Sequence, residues 1–168
     1  SSSTSSEPSA RMFTSMPFFW VGGLITGLHA VIHHGATLVT QPAFDAAEAL
    51  ELIEKYRASI TLGWPQQGKS LAEHPDFDKR DLSSVQRTSM PAMVPPTRRP
   101  EGPNALGMTE LCGNHIGVDP YPPQPADRAE TGGRSIDGLT HLLVDPETLE
   151  PVPVGTPGEI WVRGYSLM

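Results

Sequence analysis

The side chains able to do chemistry gather in one short stretch. Gly107-Met108-Thr109-Glu110 sets a hydroxyl beside a carboxylate, with Cys112 and His115 close behind. Taken alone, such a tetrapeptide reads as a solvated loop. Six histidines raise the question of a metal, and His29 and His33 stand at i,i+4 with His34 adjacent. No carboxylate or cysteine lies at a spacing that completes a zinc site, so core or helix-end roles are expected for them. Cys112 is the one cysteine, which excludes an internal disulfide framework and a Cys-based zinc site. Its default is a buried apolar position, since reactivity needs exposure beside positive charge. No G-x-S-x-G turn offers a serine nucleophile. Arg98-Arg99 is a small basic spot in a Pro-rich loop.

These residues belong to a chain of 168, the length of one domain or a piece of a larger one. A net charge of -7 argues against a broad nucleic-acid or anionic-membrane surface. With Gly 16 and Pro 18 the chain is loop-rich, yet 38% hydrophobic residues still support a core. The lone cysteine suits a reducing, cytoplasmic compartment. Residues 12–32 carry no Asp, Glu, Lys or Arg and match a bilayer in length. Pro17, three glycines and His29 interrupt that run, so a Pro-Phe-Phe entry and a buried helix are expected in place of a membrane span. A small membrane-anchored protein stands as an alternative. Both ends of the chain read as cut.

The elements around these residues follow a regular rhythm. Residues 20–34 read as the buried helix, with Gly35 at its C′ position. Residues 36–40 form a short strand. Asp45 caps the next helix, with Glu48 three residues on as in a capping box, and the helix runs to about Arg57. Ala46, Leu50 and Ile53 fall at helical spacing, and Glu51 and Lys55 form an i,i+4 pair. Residues 59–63 are the next strand, and a shorter helix spans Gln66 to His74. Helix, strand, helix, strand with short links is the pattern of a parallel α/β sheet. The Pro-rich stretches 91–103 and 120–125 mark loops or a seam. Residues 139–145 and 159–164 read as antiparallel strands of a separate small sheet. The expected division is a Ser-rich leader at 1–11, an α/β portion at 12–119 and a small β portion at 120–168.

The tetrapeptide gains meaning from its company. MPFFWVGG lies upstream at 16–23, HHGATLVTQPAFDAAEALELIEKYRAS at 33–59, and GGRSIDGLTHLLVDPETLEPVPVGTPGEIWVRG downstream at 132–164. As a set these segments resemble the adenylate-forming family: acyl-CoA synthetases, aryl-CoA ligases, luciferases and peptide-synthetase adenylation domains. The resemblance covers nearly the whole chain and implies the middle of that family's large N-terminal domain. It implies activation of a small-molecule carboxylate by ATP to an acyl-adenylate (acyl-AMP), followed by transfer to a thiol such as coenzyme A. It gives Thr109 the α-phosphate of the nucleotide and Glu110 the Mg²⁺ ion. One protein carboxylate, with nucleotide oxygens and water, is a common way to hold Mg²⁺.

The same resemblance places Gly107 and Met108 at the nucleotide, Gly107 allowing close backbone approach, with Leu106 where an aromatic residue often meets adenine. Ser89-Met90-Pro91-Ala92-Met93 stands where the family has a Gly-rich turn under the base, so Ser89 and Ala92 become nucleotide contacts. Phe19, Trp20 and Gly22 fall in the segment that borders the carboxylate, and Trp64 joins them as a wall of an apolar acyl pocket. Ordinary core packing is an equal reading for these aromatics.

The resemblance also has departures. The family's phosphate loop is outlined by Ser2 to Ser9, with Ser3 where Gly is expected and Ser9 where Lys is expected. The family's ribose-binding aspartate, hinge and C-terminal lysine have no counterpart here. The expectation is therefore an incomplete, inactive portion of an acid–thiol ligase that self-associates through exposed edges. A non-catalytic chain that binds a nucleotide or a protein partner is the alternative.

Overall fold

The computed structural model describes residues 10–94, 105–117 and 131–168. The Ser-rich segment 1–9 and the second Pro-rich stretch lie outside the described residues. The chain divides between Gly102 and Pro103 into two compact units. That division follows the first Pro-rich stretch, where the sequence reading had placed it at 119/120.

In the first unit a four-stranded parallel sheet is built from β1 (Arg11–Thr14), β2 (Thr37–Val39), β3 (Ile60–Leu62) and β4 (Arg87–Thr88), in the order β2-β1-β3-β4. This is the expected parallel α/β architecture. Strand β1 adds what the sequence reading lacked: Arg11 belongs to the sheet, not to a leader, and Met12 to Thr14 form a strand ahead of the Pro-Phe-Phe entry. Met12 pairs with Leu38 on one side and Ile60 on the other, so β1 is bonded along both edges.

The helix after β1 is wound as a π-helix over Gly22–His29 and continues as α1 (Ala30–His33). The Ala30 N–H reaches back to the Ile25 carbonyl, an i−5 bond. This helix is not buried all round. Only Gly23, Gly27 and Val31 are buried, while Leu24 and Ile32 are exposed. Small residues every fourth position let the backbone lie close against its neighbours. A Cβ at Gly23 would stand 2.3 Å from the Pro17 carbonyl oxygen, and one at Gly27 would touch Thr14 and Leu62. Gly35, at φ +60°, ends the helix as expected. The Gly35 N–H bonds Ile32 O (3.2 Å) and the Ala36 N–H bonds Val31 O (2.9 Å), the paired closure that a left-handed residue permits.

Helix α2 (Ala46–Lys55) starts where the sequence places it, with Asp45 Oδ1 accepting from the Glu48 N–H at 2.8 Å. The reciprocal half of the capping box is replaced by Gln41. With its amide oxygen toward the Asp45 N–H (3.0 Å), its nitrogen meets Glu48 Oε2 (3.1 Å). The helix closes on Arg57, which takes φ 48° so that the Ala58 N–H can bond Ile53 O at 3.0 Å. Ala58 is buried there, and that burial offsets the cost of a non-glycine left-handed residue. The expected Glu51–Lys55 ion pair does not form; Lys55 Nζ lies 5.4 Å from the Tyr56 ring centroid instead. An exposed ion pair is worth too little to dictate a rotamer.

Helix α3 (Pro65–Ala72) packs beside α2. Their buried Leu50, Ile53 and Leu71 meet Phe13 and Val39 of the sheet, with Met90 and Met93 closing the cluster. Each fully buried aliphatic side chain contributes roughly 1.5–3 kcal/mol. Right-handed crossovers put α2 and α3 on one face of the sheet and the Gly23–Gly27–Val31 stripe on the other. Phe13 and Thr14 accordingly point to opposite faces.

The second unit is antiparallel. Strands β5 (Leu106–Met108), β6 (Gly113–Gly117) and β7 (Arg134–Ser135) form one sheet. A tight turn, Ile136–Leu139 with Gly138 at φ +85°, leads into β8 (Leu139–Val144), which pairs with β9 (Glu159–Gly164) as expected. No helix among the described residues is long and apolar enough to cross a membrane.

Backbone atoms cannot yield to a methyl group at Gly23. Gly23→Ala should therefore lower the unfolding free energy by about 1–3 kcal/mol in urea titration. An unchanged midpoint would show that the close approach to Pro17 is not required.

Candidate functional site

The strand order of the first unit creates a switch point. The chain leaves β1 toward β2 on one side and leaves β3 toward β4 on the other. In open parallel sheets the crevice beyond the carboxyl ends of two such strands is the usual ligand site. Thr14 to Met16 leave β1 here, and Gly63 and Trp64 leave β3.

Aromatic side chains gather at this end. The Trp20 and Trp64 rings meet edge to face at 5.4 Å, and Phe19 meets Trp20 at 5.6 Å. Edge-to-face pairs of this kind stabilise an arrangement by about 0.5–1.5 kcal/mol beyond burial. Phe19 is 77% exposed and Trp20 49%, so they are not core residues. Gly22 is packed on Met16, whose terminal methyl fills the space a Cβ would need.

Gln67 holds the two strand ends together, and the sequence reading passed over it. Its Oε1 accepts from the Trp64 N–H (3.0 Å) and its Nε2 donates to Ser15 Oγ (3.1 Å). The side chain is nearly buried. The signal was the third-position glutamine after Trp64-Pro65, one arm of a capping box. Ser89 is similarly committed. Its hydroxyl accepts from the Gly63 N–H (2.9 Å) and donates to the Gly63 carbonyl (2.6 Å). Ala92 lies in the single 3₁₀ turn Pro91–Met93, whose Met93 is buried.

The second unit carries the tetrapeptide. Thr109–Leu111 is a 3₁₀ turn joining β5 to β6, so Thr109 and Glu110 stand side by side at a hairpin tip, both exposed. Leu111, fully buried, anchors the turn from below. Cys112 adopts φ 53°, and its N–H bonds Thr109 O at 3.0 Å. This left-handed residue turns the chain so that the thiol is exposed, which corrects the expected burial. The Glu110 carbonyl is held by the Met168 N–H at 3.1 Å. Its carboxylate makes no ion pair among the described residues and so keeps both oxygens for an outside group. Leu106 and Gly107 are exposed along β5 and Met108 is half-buried. Gly107 has a local reason to be glycine: a Cβ there would meet Asn114 Oδ1 at 2.6 Å and Gly113 O at 3.0 Å. Cross-strand crowding, rather than a bound nucleotide, explains it in this structure.

The sequence-predicted residues thus form two groups, one in each unit. Phe19, Trp20, Gly22, Trp64, Ser89 and Ala92 belong to the first, and Leu106 to Glu110 to the second.

Comparison with known proteins agrees with the fold. Residues 2–168 match the family described as "AMP-binding enzyme". Indoleacetate–CoA ligase of Aromatoleum aromaticum is 31% identical over 166 residues, covering 94% of this chain and 32% of that protein. 4-Coumarate–CoA ligase 1 of Petroselinum crispum is 31% identical over 169 residues, covering 94% of this chain and 31% of that protein. In fold, the chain is similar to the anthranilate CoA ligase AuaEII in complex with anthranoyl-AMP, at TM-score 0.74 and 24% identity over 95% of this chain and 32% of that one. The chain therefore spans about a third of the length of these proteins.

Gln67→Met removes the side-chain acceptor of the half-buried Trp64 N–H while keeping the volume. It should cost about 1–3 kcal/mol in denaturant unfolding and shift the tryptophan emission. Wild-type stability and emission would show that the Ser15–Gln67–Trp64 bridge carries no load.

Proposed function

The chain belongs to the AMP-binding enzyme family, and we propose on that premise that it serves ATP-dependent activation of a carboxylate. In this reading the carboxylate becomes an acyl-adenylate and is passed to a thiol such as coenzyme A, within a protein of which these residues are one part. The observation that carries the reading is the hairpin tip that holds Thr109 and Glu110 together, exposed and with no side-chain partner among the described residues.

The donor set suits magnesium. A single unpaired carboxylate beside a hydroxyl is too sparse for an all-protein cage, and Mg²⁺ favours sites completed by phosphate oxygens and water. Glu110 would hold the ion, and Thr109 would donate its hydroxyl to the α-phosphate. When bound, the ion would neutralise phosphate charge. The protein's own part is positioning: Leu111, Cys112 and Met168 fix the backbone of the turn before any ligand arrives, so little ordering cost remains at binding.

The first unit supplies an apolar surface in Phe19, Trp20 and Trp64. Flat aromatic walls suit an apolar or aryl carboxylate, a class to which the indoleacetate and 4-coumarate named for two relatives belong. The Ser89 hydroxyl, tied to Gly63, serves the backbone and not the nucleotide in this reading; Leu106, on the strand that leads into the turn, offers apolar contact to the base. A soluble, cytoplasmic setting fits this chemistry.

Titration calorimetry of ATP·Mg²⁺ tests the proposal. Glu110→Ala should weaken binding tenfold or more, about 1.4 kcal/mol or above. Thr109→Val should weaken it less, by the loss of one hydrogen bond to a charged group. Equal affinity in wild type and Glu110→Ala would refute the assignment of the metal to this turn.

A further inference from the structure

A second polar constellation lies on the strand that follows the turn. Leu106 pairs with Ile116 but Gly107 pairs with Asn114, so His115 is the extra residue of a β-bulge. Bulges re-aim side chains, and this one accompanies a His115 that is completely buried. Its Nδ1 lies 2.7 Å from Nε2 of His141 on β8, and His141 Nδ1 lies 2.6 Å from Ser135 Oγ on β7. The two rings stack with centroids 5.0 Å apart. His115 Nε2 is buried and has no hydrogen-bond partner among the described residues.

We propose that Ser135, His141 and His115 form a positioning relay that holds the Thr109–Glu110 turn, and that the relay accepts one proton but is broken by a second. The relay itself rests on the geometry; its consequence for ligand binding rests on the nucleotide reading above.

The proton count follows from the two atom pairs in line. A hydrogen bond between two imidazole nitrogens needs one proton between them. In the neutral relay either ring can supply it, and the Ser135 hydroxyl donates or accepts to suit. One added proton makes His141 an imidazolium that donates from both nitrogens, to His115 and to Ser135. No bond is lost. A second proton sets N–H against N–H and brings two cations together. It gains nothing at His115 Nε2, which faces no acceptor among the described residues.

Burial, and then the nearness of His141, hold the His115 imidazole below the usual histidine range. Other titratable groups on the surrounding elements are Glu110 and Cys112 in the turn, Arg134 on β7, Asp137 in the following turn, and Glu159 and Arg163 on β9. Among the described residues His141 is the charged neighbour that lowers His115. The sign is therefore fixed. The unfolded chain binds the proton more readily, so the pinned arrangement has its full stability above the ordinary histidine value of about 6.5 and loses it as pH falls through the depressed value.

The turn is exposed to this event because His115 lies on the strand that carries it. Leu111, Gly113 and His115 alternate inward, so the buried side of the hairpin ends at the relay. Losing the His115–His141 bond removes the side-chain tie from β6 to β8, on the strand that follows Glu110, while β6 keeps its backbone bonds to β5 and β7.

Imidazole two-bond ¹H–¹⁵N spectra of the full 168-residue chain, recorded with amide spectra from pH 8.5 to 4.5, test this. The two rings should titrate in two steps. The first should leave the amides of Thr109 to Gly113 in place, and the second, below the range of a free histidine, should move them. His141→Gln can donate to the neutral His115 ring and, with its amide turned over, accept from the charged one, so it should keep the turn amides in place at pH 8 and remove the second-step movement. His141→Leu should displace those amides already at pH 8. Independent titration of both rings with still turn amides would overturn the relay. So would a His141→Gln protein that retains the low-pH movement. If His141→Leu does not fold, the wild-type titration and His141→Gln still decide. ATP·Mg²⁺ binding at pH 8 separates the two claims. A working relay without binding removes the nucleotide reading alone, and Glu110-dependent binding without the relay behaviour removes the relay alone.

Discussion

The double pairing of β1 governs the first unit. A strand of only four residues is bonded along both edges, to β2 and to β3, and all three run parallel. Parallel neighbours cannot be joined by a hairpin, so each link must cross a face of the sheet. The link from β1 runs one way and the link from β3 runs the other, which opens the crevice where Trp20 and Trp64 meet. The close seating of the first helix depends on the same strand. Gly23 must be glycine because the Met16-Pro17 turn leaves no room for a side chain, and Gly27 lets the helix pack on Thr14.

The second unit solves a different problem. Thr109 and Glu110 must be exposed to act, yet an exposed hairpin tip has few contacts to order it. The order comes from the inward side: Leu111 below the turn, Gly113 at the start of β6, and His115 buried beside a bulge. Exposed chemistry is thus supported by buried neighbours at alternate positions. Where the buried neighbour is polar, as at His115, it needs a partner from another strand, and His141 supplies it. A polar group in a core makes that core conditional on protonation in a way that a leucine would not.

Much of the local structure was legible in the sequence because local backbone chemistry dictates it. Asp45 as a cap and Gly35 as a helix end depend on a few consecutive residues, and both stand as read. The pairing of residues 139–145 with 159–164 was visible in their length and composition. Strand β1 was not legible, because Met12-Phe13-Thr14 merges into the uncharged run that follows and four residues carry little periodicity. The exposed face of the first helix was equally hidden: its apolar composition suggests burial, and only the sheet reveals that three small residues make the contact. Gly107 was legible as a position that needs glycine, but its neighbour Asn114 was not. The site residues were found by likeness to a family, whereas Gln67 and the His115–His141 pair depend on contacts across long stretches of chain that no spacing rule encodes.

The central claim is that a metal–nucleotide complex binds at the tip between β5 and β6. Paramagnetic Mn²⁺·ATP added to the ¹⁵N-labelled chain tests it most directly, because Mn²⁺ occupies oxygen sites of the Mg²⁺ kind and broadens nearby amides. The account predicts that the amides of Thr109 to Gly113 broaden first and recover when excess Mg²⁺·ATP is added. Selective broadening elsewhere, with those amides unaffected, would contradict it.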